Sequence, residues 1–288
     1  MLRIATRSSE LALAQAESFA TLAGVASELV VVETEGDRRA ADSLHEMGGQ
    51  GVFAKEIQAA LLDGRADVAV HSAKDLPVAP IPGLQVRAFL ERADPRDILA
   101  RYPLAELPQG ARVGTSSVRR GAQLRVLRPD VEIVPIRGNI RTRLGRLEDL
   151  DAIFVAAAAV DRLHISGIPF ERLDPELLCP QVGQGAIAVE CRAGNSEALK
   201  ILSGVNHGPT EAAVLAERSF LAAFGTGCTL PIGGYASWAG GTIELQGVVA
   251  SEDGRTLMKA RATGSDPATT GAQVASALIA QGALTLLR

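Results

Sequence analysis

Nine arginines fall between residues 112 and 146 of this 288-residue chain, at positions 112, 119, 120, 125, 128, 137, 141, 143 and 146. Only Asp130 and Glu132 oppose them there, so the stretch is net +7 in a chain whose formal charge is -4. Lysine is scarce: the 29 basic residues include only Lys55, Lys74, Lys200 and Lys259, none of them in this stretch. A guanidinium presents a planar fork of donors, grips carboxylate or phosphate at two points and keeps its charge. So dense a cluster repels itself unless something anionic lies within it, and the stretch reads as a holder of a polyanion. A solvated basic face is the plain alternative, but the local syntax argues against it. Val113-Gly114 end a short apolar strand, and Thr115, Ser116 and Ser117 bring hydroxyls to the N-cap of a helix predicted to reach Leu127, where Pro129 stops it. Such a start offers free N–H groups and the helix dipole to an anion. Arg119 and Arg120 fall in that first turn, where positive charge disfavours the helix itself, so a ligand is the better reason for them. The unit then repeats, with a strand over 131–135, the loop Arg137-Gly138-Asn139, and a helix from Ile140 to Leu147 that contains Arg143.

Two further residues could do chemistry. Cys228 lies in Gly225-Thr226-Gly227-Cys228-Thr229-Leu230-Pro231, a loop of small residues in which a thiol can be reached. Without a matching histidine or second cysteine, hydrolase and disulfide roles lack support, which leaves a nucleophile or a covalent anchor. Cys191, inside an apolar run, reads as buried and inert. Asp75, in His71-Ser72-Ala73-Lys74-Asp75-Leu76-Pro77, follows a strand-like run; an acid at the carboxyl end of a parallel strand faces a cleft, where it can stabilise a developing cation or accept a proton. A turn-capping or Lys74-paired aspartate is the alternative. His71 reads as structural, and Lys74 and Lys55 add to the anion field.

The elements that must position these residues follow from periodicity. Residues 2–7 form a strand, Ser8 or Ser9 with Glu10 opens a helix that Gly24 ends, and 28–34 form a buried strand. Residues 35–51 are polar and glycine-bearing, a long loop suited to a lid. An amphipathic helix through Phe53, Ile57 and Leu61 leads to a buried strand at Ala66–Val70. This is the β-α-β-α-β grammar of a parallel sheet with crossover helices. A strand at Leu84–Leu90 precedes Asp94-Pro95-Arg96, which marks a crossing into a second α/β unit that ends near Cys179-Pro180. Residues 182–192 return as a strand of the first sheet, and two crossings leave a cleft between two lobes. The third segment reads as a helix over 209–223, the cysteine loop, strands Thr242–Ala250 and Thr256–Thr263, and a helix Pro267–Gly282. The fold class is α/β: two lobes around a cleft plus a smaller α+β domain with an antiparallel sheet. Domain 1 is expected over 1–92 and 184–205, domain 2 over 93–183, and domain 3 over 206–288.

Composition narrows the classes. Hydrophobic residues make up 47% and charged residues 22%, values of a globular protein, with aromatics at only 3%. The longest apolar run, Ala152 to Val160, is too short to span a bilayer. Met1-Leu2-Arg3 passes straight into a strand, so no secretory leader is expected, and three cysteines without paired spacing suit a reducing cytoplasm. Gly183-Gln184-Gly185 is followed by a strand-like run in place of the helix a dinucleotide loop needs. Gly48-Gly49-Gln50-Gly51 lacks the Lys-Ser/Thr of a phosphate loop, no metal-ligand spacing is present, and no aromatic interleaves the arginines as nucleic-acid stacking requires.

Taken together, RIATRSSELALAQ (3–15), GGQGVFAKEIQ (48–58), ADVAVHSAKDLP (66–77), ERADPRD (91–97), VGTSSVRR (113–120), RGNIRTRL (137–144), VGQGAIAVECR (182–192) and GCTLPIGGYA (227–236) resemble the porphobilinogen deaminase family nearly end to end. The resemblance implies an enzyme that joins four porphobilinogen molecules head to tail, losing one ammonia each, into hydroxymethylbilane. It implies a dipyrromethane cofactor on a thioether to Cys228, and two lobes like periplasmic binding proteins. It makes Asp75 the catalytic acid that contacts pyrrole N–H groups. It assigns carboxylate binding to Arg7, Ser9, Lys74, Thr115, Ser116, Ser117, Arg119, Arg120, Arg137, Arg143 and Arg192, with Lys55, Arg162 and Gln184 as weaker members. A monomer without nucleic-acid, membrane or metal partners is expected. The chain departs from the family pattern at Gln50, where lysine is common, at Glu35, where arginine or threonine often sits, and at Arg141, which replaces a residue that is often small. Two rivals carry other expectations: an anionic-ligand binding or sensor protein needs no reachable Cys228 and no acid facing the cleft, and an RNA-binding protein rests on the arginines alone.

Overall fold

The computed structural model describes residues 1–34, 54–225 and 230–287. The lid expected over 35–51, with Glu35 and Gln50, and the anchor expected at Cys228 lie outside the described residues.

The first stretch of chain forms β1 (Leu2–Arg7), α1 (Glu10–Ala23), β2 (Ser27–Val32), α2 (Lys55–Leu62), β3 (Val68–Ser72) and β4 (Leu84–Phe89). Ser9 caps α1 by accepting from the Ala12 amide, and Gly24 closes it in the left-handed region. The second stretch forms β5 (Asp97–Ala100), β6 (Arg112–Gly114), α3 (Val118–Leu127), β7 (Glu132–Val134), α4 (Ile140–Gly145), β8 (Ala152–Ala156), α5 (Ala157–Arg162) and β9 (Phe170–Arg172). The nine-residue apolar run thus divides into a strand and the first turn of a helix. The chain then returns through β10 (Ile187–Arg192). Residues 182–186, expected to belong to that strand, form a turn instead.

Both sheets follow one plan. The first has the order β2-β1-β3-β10-β4 and the second β7-β6-β8-β5-β9. In each, the first three strands are parallel and the fourth runs against its neighbours. Each fourth strand is the one that has just crossed from the other sheet. Ile187 begins β10 opposite Ser72, the last residue of β3, and Asp97 begins β5 opposite Ala156, the last residue of β8. Both crossings therefore lie at the carboxyl ends of the parallel strands, where loops and helix starts gather.

The chain then forms α6 (Ser196–Val205), α7 (Gly208–Ala222), β11 (Ile232–Ala239), β12 (Thr242–Ala250), β13 (Leu257–Gly264) and α8 (Pro267–Ala280). Strands β11-β12-β13 make an antiparallel sheet. The loop expected over 225–234 gives way to β11 from Ile232 onward. The glycines serve packing: a Cβ at Gly233 would sit 2.8 Å from the Cys179 carbonyl oxygen, and one at Gly234 3.0 Å from the Phe220 ring. Phe220 of α7 is fully buried in this third core with Ile243, Leu245, Val249, Val274 and Leu278, and meets Phe224 edge-on at 5.4 Å. Among the described residues no helix is long and apolar enough to cross a membrane.

Phe220→Ala removes the largest side chain of the third core and is expected to cost about 3–5 kcal/mol, read as a lower urea midpoint for the intact chain.

Candidate functional site

The expected site residues can be placed by the end of the sheet they occupy. Arg7 ends β1, Lys74 and Asp75 form a single 3-10 turn directly after β3, and Thr115, Ser116 and Ser117 join β6 to α3. Arg137 lies between β7 and α4, and Arg143 within α4. All are at carboxyl ends, as is Lys55, exposed at the start of α2. Lys74 lies within electrostatic reach of Asp75, Arg120, Asp97 and Arg119, and Arg143 within reach of Arg120, Arg137 and Asp75. The two lobes thus bring two acids, Asp75 and Asp97, and at least five cations together. The guanidiniums of other arginines in the cluster go elsewhere: Arg125 to the Glu252 carbonyl, Arg128 to Asp130, Arg112 to the Asp149 carbonyl and Glu132, Arg146 to Asp149.

Arg192 is a correction. It ends β10, which runs against β3, so it lies opposite Leu84 at the amino ends of the parallel strands. There it donates to the carbonyls of Leu61 and Ala66, away from the group around Asp75.

Arg119 and Arg120, expected to serve a ligand, are engaged within the protein. Both are buried, and both hold a resident acid, Asp97, that the sequence reading overlooked. Arg119 Nη1 donates to Asp97 Oδ2 at 2.6 Å and to the Cys179 carbonyl at 2.7 Å. Arg120 donates through Nε at 2.9 Å and Nη2 at 2.7 Å to Asp97 Oδ1. Burial works to raise the Asp97 carboxyl, but the two guanidiniums outweigh it and hold it well below the usual carboxylate range. Nε and Nη2 of Arg119 are buried and have no hydrogen-bond partner among the described residues. Unpaired buried donors are costly, and this free edge is shaped for one carboxylate. The signal available in sequence was the acid itself: two arginines buried side by side need one, and Asp97 opens the apolar strand DILA.

Gln184 is fully buried and spent on the protein. Its Oε1 accepts from Lys74 Nζ at 3.3 Å, and its Nε2 donates to the Pro95 carbonyl at 2.8 Å and to Asp97 Oδ1 at 2.9 Å. Left-handed Gly183 and Gly185 flank it, each with φ near that of a tight turn, 74° and 87°. A Cβ on Gly183 would lie 3.0 Å from the Lys74 amide nitrogen, and one on Gly185 would lie 2.5 Å from the Ala93 carbonyl oxygen. The glycines therefore let the returning chain press on both the Asp75 turn and the outgoing chain. Arg162 donates to the Gly185 carbonyl at 2.8 Å, so it braces the crossing.

The hydroxyls are partly committed. Ser116 donates to the Ile136 carbonyl and accepts from its amide, leaving no donor for a ligand. Thr115 and Ser117 only accept, from the amides of Ser117 and Arg120, so their O–H groups stay available. Asn139 caps α4, and Arg143 Nε donates to the Gly138 carbonyl at 2.7 Å. Burial, with Arg120 and Arg137 nearby, brings the Arg143 guanidinium down to about 10. Cys179 and Cys191 are buried, and burial pushes the Cys179 thiol up to about 12, so it is inert at neutral pH. Across the lobes, Arg141 grips Glu10 at two points of 2.8 Å each.

Fold and site define a two-lobed cleft protein with buried and half-buried cations gathered beside Asp75, an acid that has no side-chain partner among the described residues. Comparison with known proteins makes the assignment specific. The family described as "Porphobilinogen deaminase, dipyromethane cofactor binding domain" matches residues 2–200, and "Porphobilinogen deaminase, C-terminal domain" matches residues 212–280. Porphobilinogen deaminase of Acidothermus cellulolyticus is 48% identical over all of this chain and 91% of its own length, and that of Brevibacillus brevis 46% identical over 98% and 94%. Among solved structures, the VFT2 domain of Bordetella pertussis BvgS covers 76% of this chain and 91% of its own at a TM-score of 0.41 and 16% identity. The chain belongs to the porphobilinogen deaminase family, transferases with a dipyrromethane cofactor, and its relatives support the enzyme over a protein that only binds.

Two outcomes follow from the charges. Asp97→Asn leaves two buried guanidiniums without their counter-ion, so the protein should lose about 3–5 kcal/mol of stability in urea unfolding. Burial lowers the Lys74 ammonium to about 8, with Asp75 pulling it back up. Its charge is therefore present below about pH 8 and lost above, so affinity for porphobilinogen should weaken as pH rises through that value. Lys74→Met should flatten this part of the profile.

Proposed function

We propose that this chain joins four porphobilinogen units stepwise into hydroxymethylbilane, with loss of one ammonia per unit, on a dipyrromethane held by a thioether to Cys228. The observation that carries the proposal is the state of Asp75. Among the described residues its carboxylate accepts no hydrogen bond and makes no close ion pair, although Lys74 and Arg143 both feel its charge. An acid in such company ordinarily pairs with a neighbour; one left open is available to a donor on the ligand. It accepts a pyrrole N–H and sets negative charge where a cation develops as ammonia departs from porphobilinogen, which stabilises the transition state more than the ground state.

Each pyrrole brings two carboxylates, so an anchored chain gains negative charge with every unit. The free edge of Arg119, with Arg7, Lys74, Arg120, Arg137 and Arg143 and the hydroxyls of Ser9, Thr115 and Ser117, neutralises it. The orphaned donors of Arg119 fit a carboxylate of the dipyrromethane, which when bound supplies the pyrrole that is extended and a tether that makes each addition effectively intramolecular. Lys55, at the start of α2, adds to the field. The enzyme is read as a monomer acting in the cytoplasm, without nucleic-acid or membrane partners.

Intact mass spectrometry tests the anchor: the protein should weigh more than its chain by two linked pyrroles, and Cys228→Ser should lose that increment together with turnover. Asp75→Ala should cut kcat by roughly 100-fold or more with little change in porphobilinogen binding. An unmodified mass with no porphobilinogen turnover would favour a binding protein.

A further inference from the structure

Among the described residues Asp75 has no side-chain partner to aim it, so its direction is set by its backbone. The segment that follows offers little to hold. Between the turn at Asp75 and the start of β4 at Leu84, the chain reads Leu-Pro-Val-Ala-Pro-Ile-Pro-Gly, and Pro77, Pro80 and Pro82 have no amide to donate. The turn itself is closed by a single long bond from the Leu76 amide to the Ala73 carbonyl, 3.4 Å. What this segment can be held by is its carbonyls. Arg218 takes three in a row: Leu76 at 3.4 Å, Pro77 at 2.5 Å and Val78 at 3.2 Å.

Arg218 lies on α7, in the third domain, next to Glu217, which reaches a different part of the same region. Glu217 is fully buried and accepts from Arg92 Nη1 at 2.6 Å and from the amides of Gly183 and Ala236 at 2.7 Å each. Gly183 is the residue that presses on the backbone of Ala73 and Lys74. Two consecutive residues of one helix thus hold the Asp75 turn from both sides, one through the glycine packed on it and the other through the carbonyls beyond it. In sequence, the same helix leads on to Cys228.

We infer that Arg218 is a positioning residue for the reaction: its guanidinium, by gripping the carbonyls of residues 76–78, fixes the direction of the Asp75 carboxylate. The inference rests on the reading of Asp75 given above. A planar group with five donors in a fixed fork can span consecutive carbonyls, whereas an ammonium is a compact, strongly hydrated charge on a flexible stem whose three donors are not pre-organised for that spacing. Loss of Arg218 lets the acid drift relative to the bound pyrrole, and a displacement on the order of 1 Å at a reacting group is enough to cost about 100-fold.

The test uses the full chain with Arg218→Ala, Arg218→Lys and, in parallel, Asp75→Ala. In the Cys228→Ser background, which removes the cofactor from consideration, Arg218→Ala should speed hydrogen exchange at the amides of Leu76 and Val78 at least tenfold, with β3 and α7 unchanged. In the otherwise native protein it should keep the dipyrromethane mass increment, lower kcat by about 10- to 100-fold and move KM less than about twofold. Arg218→Lys should fall between. Native kcat, unchanged exchange over 76–78, or a loss confined to thermal stability and cofactor occupancy would each overturn the inference. If Arg218→Ala does not fold, Arg218→Lys alone decides between a kcat loss at constant KM and none. An active Asp75→Ala would sink the reading of Asp75 itself; an inactive Asp75→Ala beside a fully active Arg218→Ala would sink only the role of Arg218.

Discussion

A single carboxylate, that of Asp97, makes the cationic cleft possible. Two guanidiniums cannot be packed side by side away from water without an anion, since the desolvation of each charge is worth several kcal/mol. Asp97 supplies that anion from the first residue of β5, and Gln184 ties it to Lys74 across the crossing. From Lys74 Nζ through Gln184 to Asp97 and on to Arg119 runs one unbroken chain of polar contacts of 3.3, 2.9 and 2.6 Å. The acid neutralises part of the positive charge and leaves the rest, including the open edge of Arg119, for a ligand. Its placement at the crossing means that the charge balance of the cleft and the join between the lobes are the same structure.

The third domain is joined to that structure by contacts of unequal weight. Glu217 is fully buried and satisfied by one guanidinium and two amides. On the surface, Arg261 meets Glu176 and Lys259 the Glu176 carbonyl, in water that screens them. The Glu10–Arg141 pair between the lobes is likewise more than half exposed on both sides, 52% and 57%, and belongs with the weak contacts. The buried group sets where the third domain stands; the exposed ones follow.

Most of the architecture was legible because periodicity and punctuation report directly on burial and backbone. The caps at Ser9, Ser117 and Asn139 and the glycine stop at Gly24 were written in residue type. What failed had a common cause. Ile232–Ala239 was missed because its glycines exist to admit Phe220 and the Cys179 carbonyl, contacts made by residues distant in sequence. Arg192 was misplaced because the direction of β10 within its sheet is a tertiary fact, and reversing a strand of this length moves its end to the far side of the lobe. Asp97 was overlooked because an acid next to arginines looks ordinary until burial makes it indispensable, and Gln184 looked like a ligand donor until each of its polar groups proved to be spent. The density of the arginine cluster does not by itself demand a ligand, because it is relieved in part by the protein's own carboxylates.

The position of Ile187–Arg192 between β3 and β4 bears on how the molecule is made. Among the described residues strand β4 pairs only with β10, so as the chain is synthesised its backbone groups lack that ladder until nearly a hundred further residues have emerged. The second sheet, by contrast, draws all its strands from one continuous stretch, Asp97 to Arg172. A growing chain can therefore complete its middle lobe while the first still has an open edge, and long-range pairing of that kind is slow and exposed to mispairing. The order of birth runs from the amino terminus, but the order of completion begins in the middle.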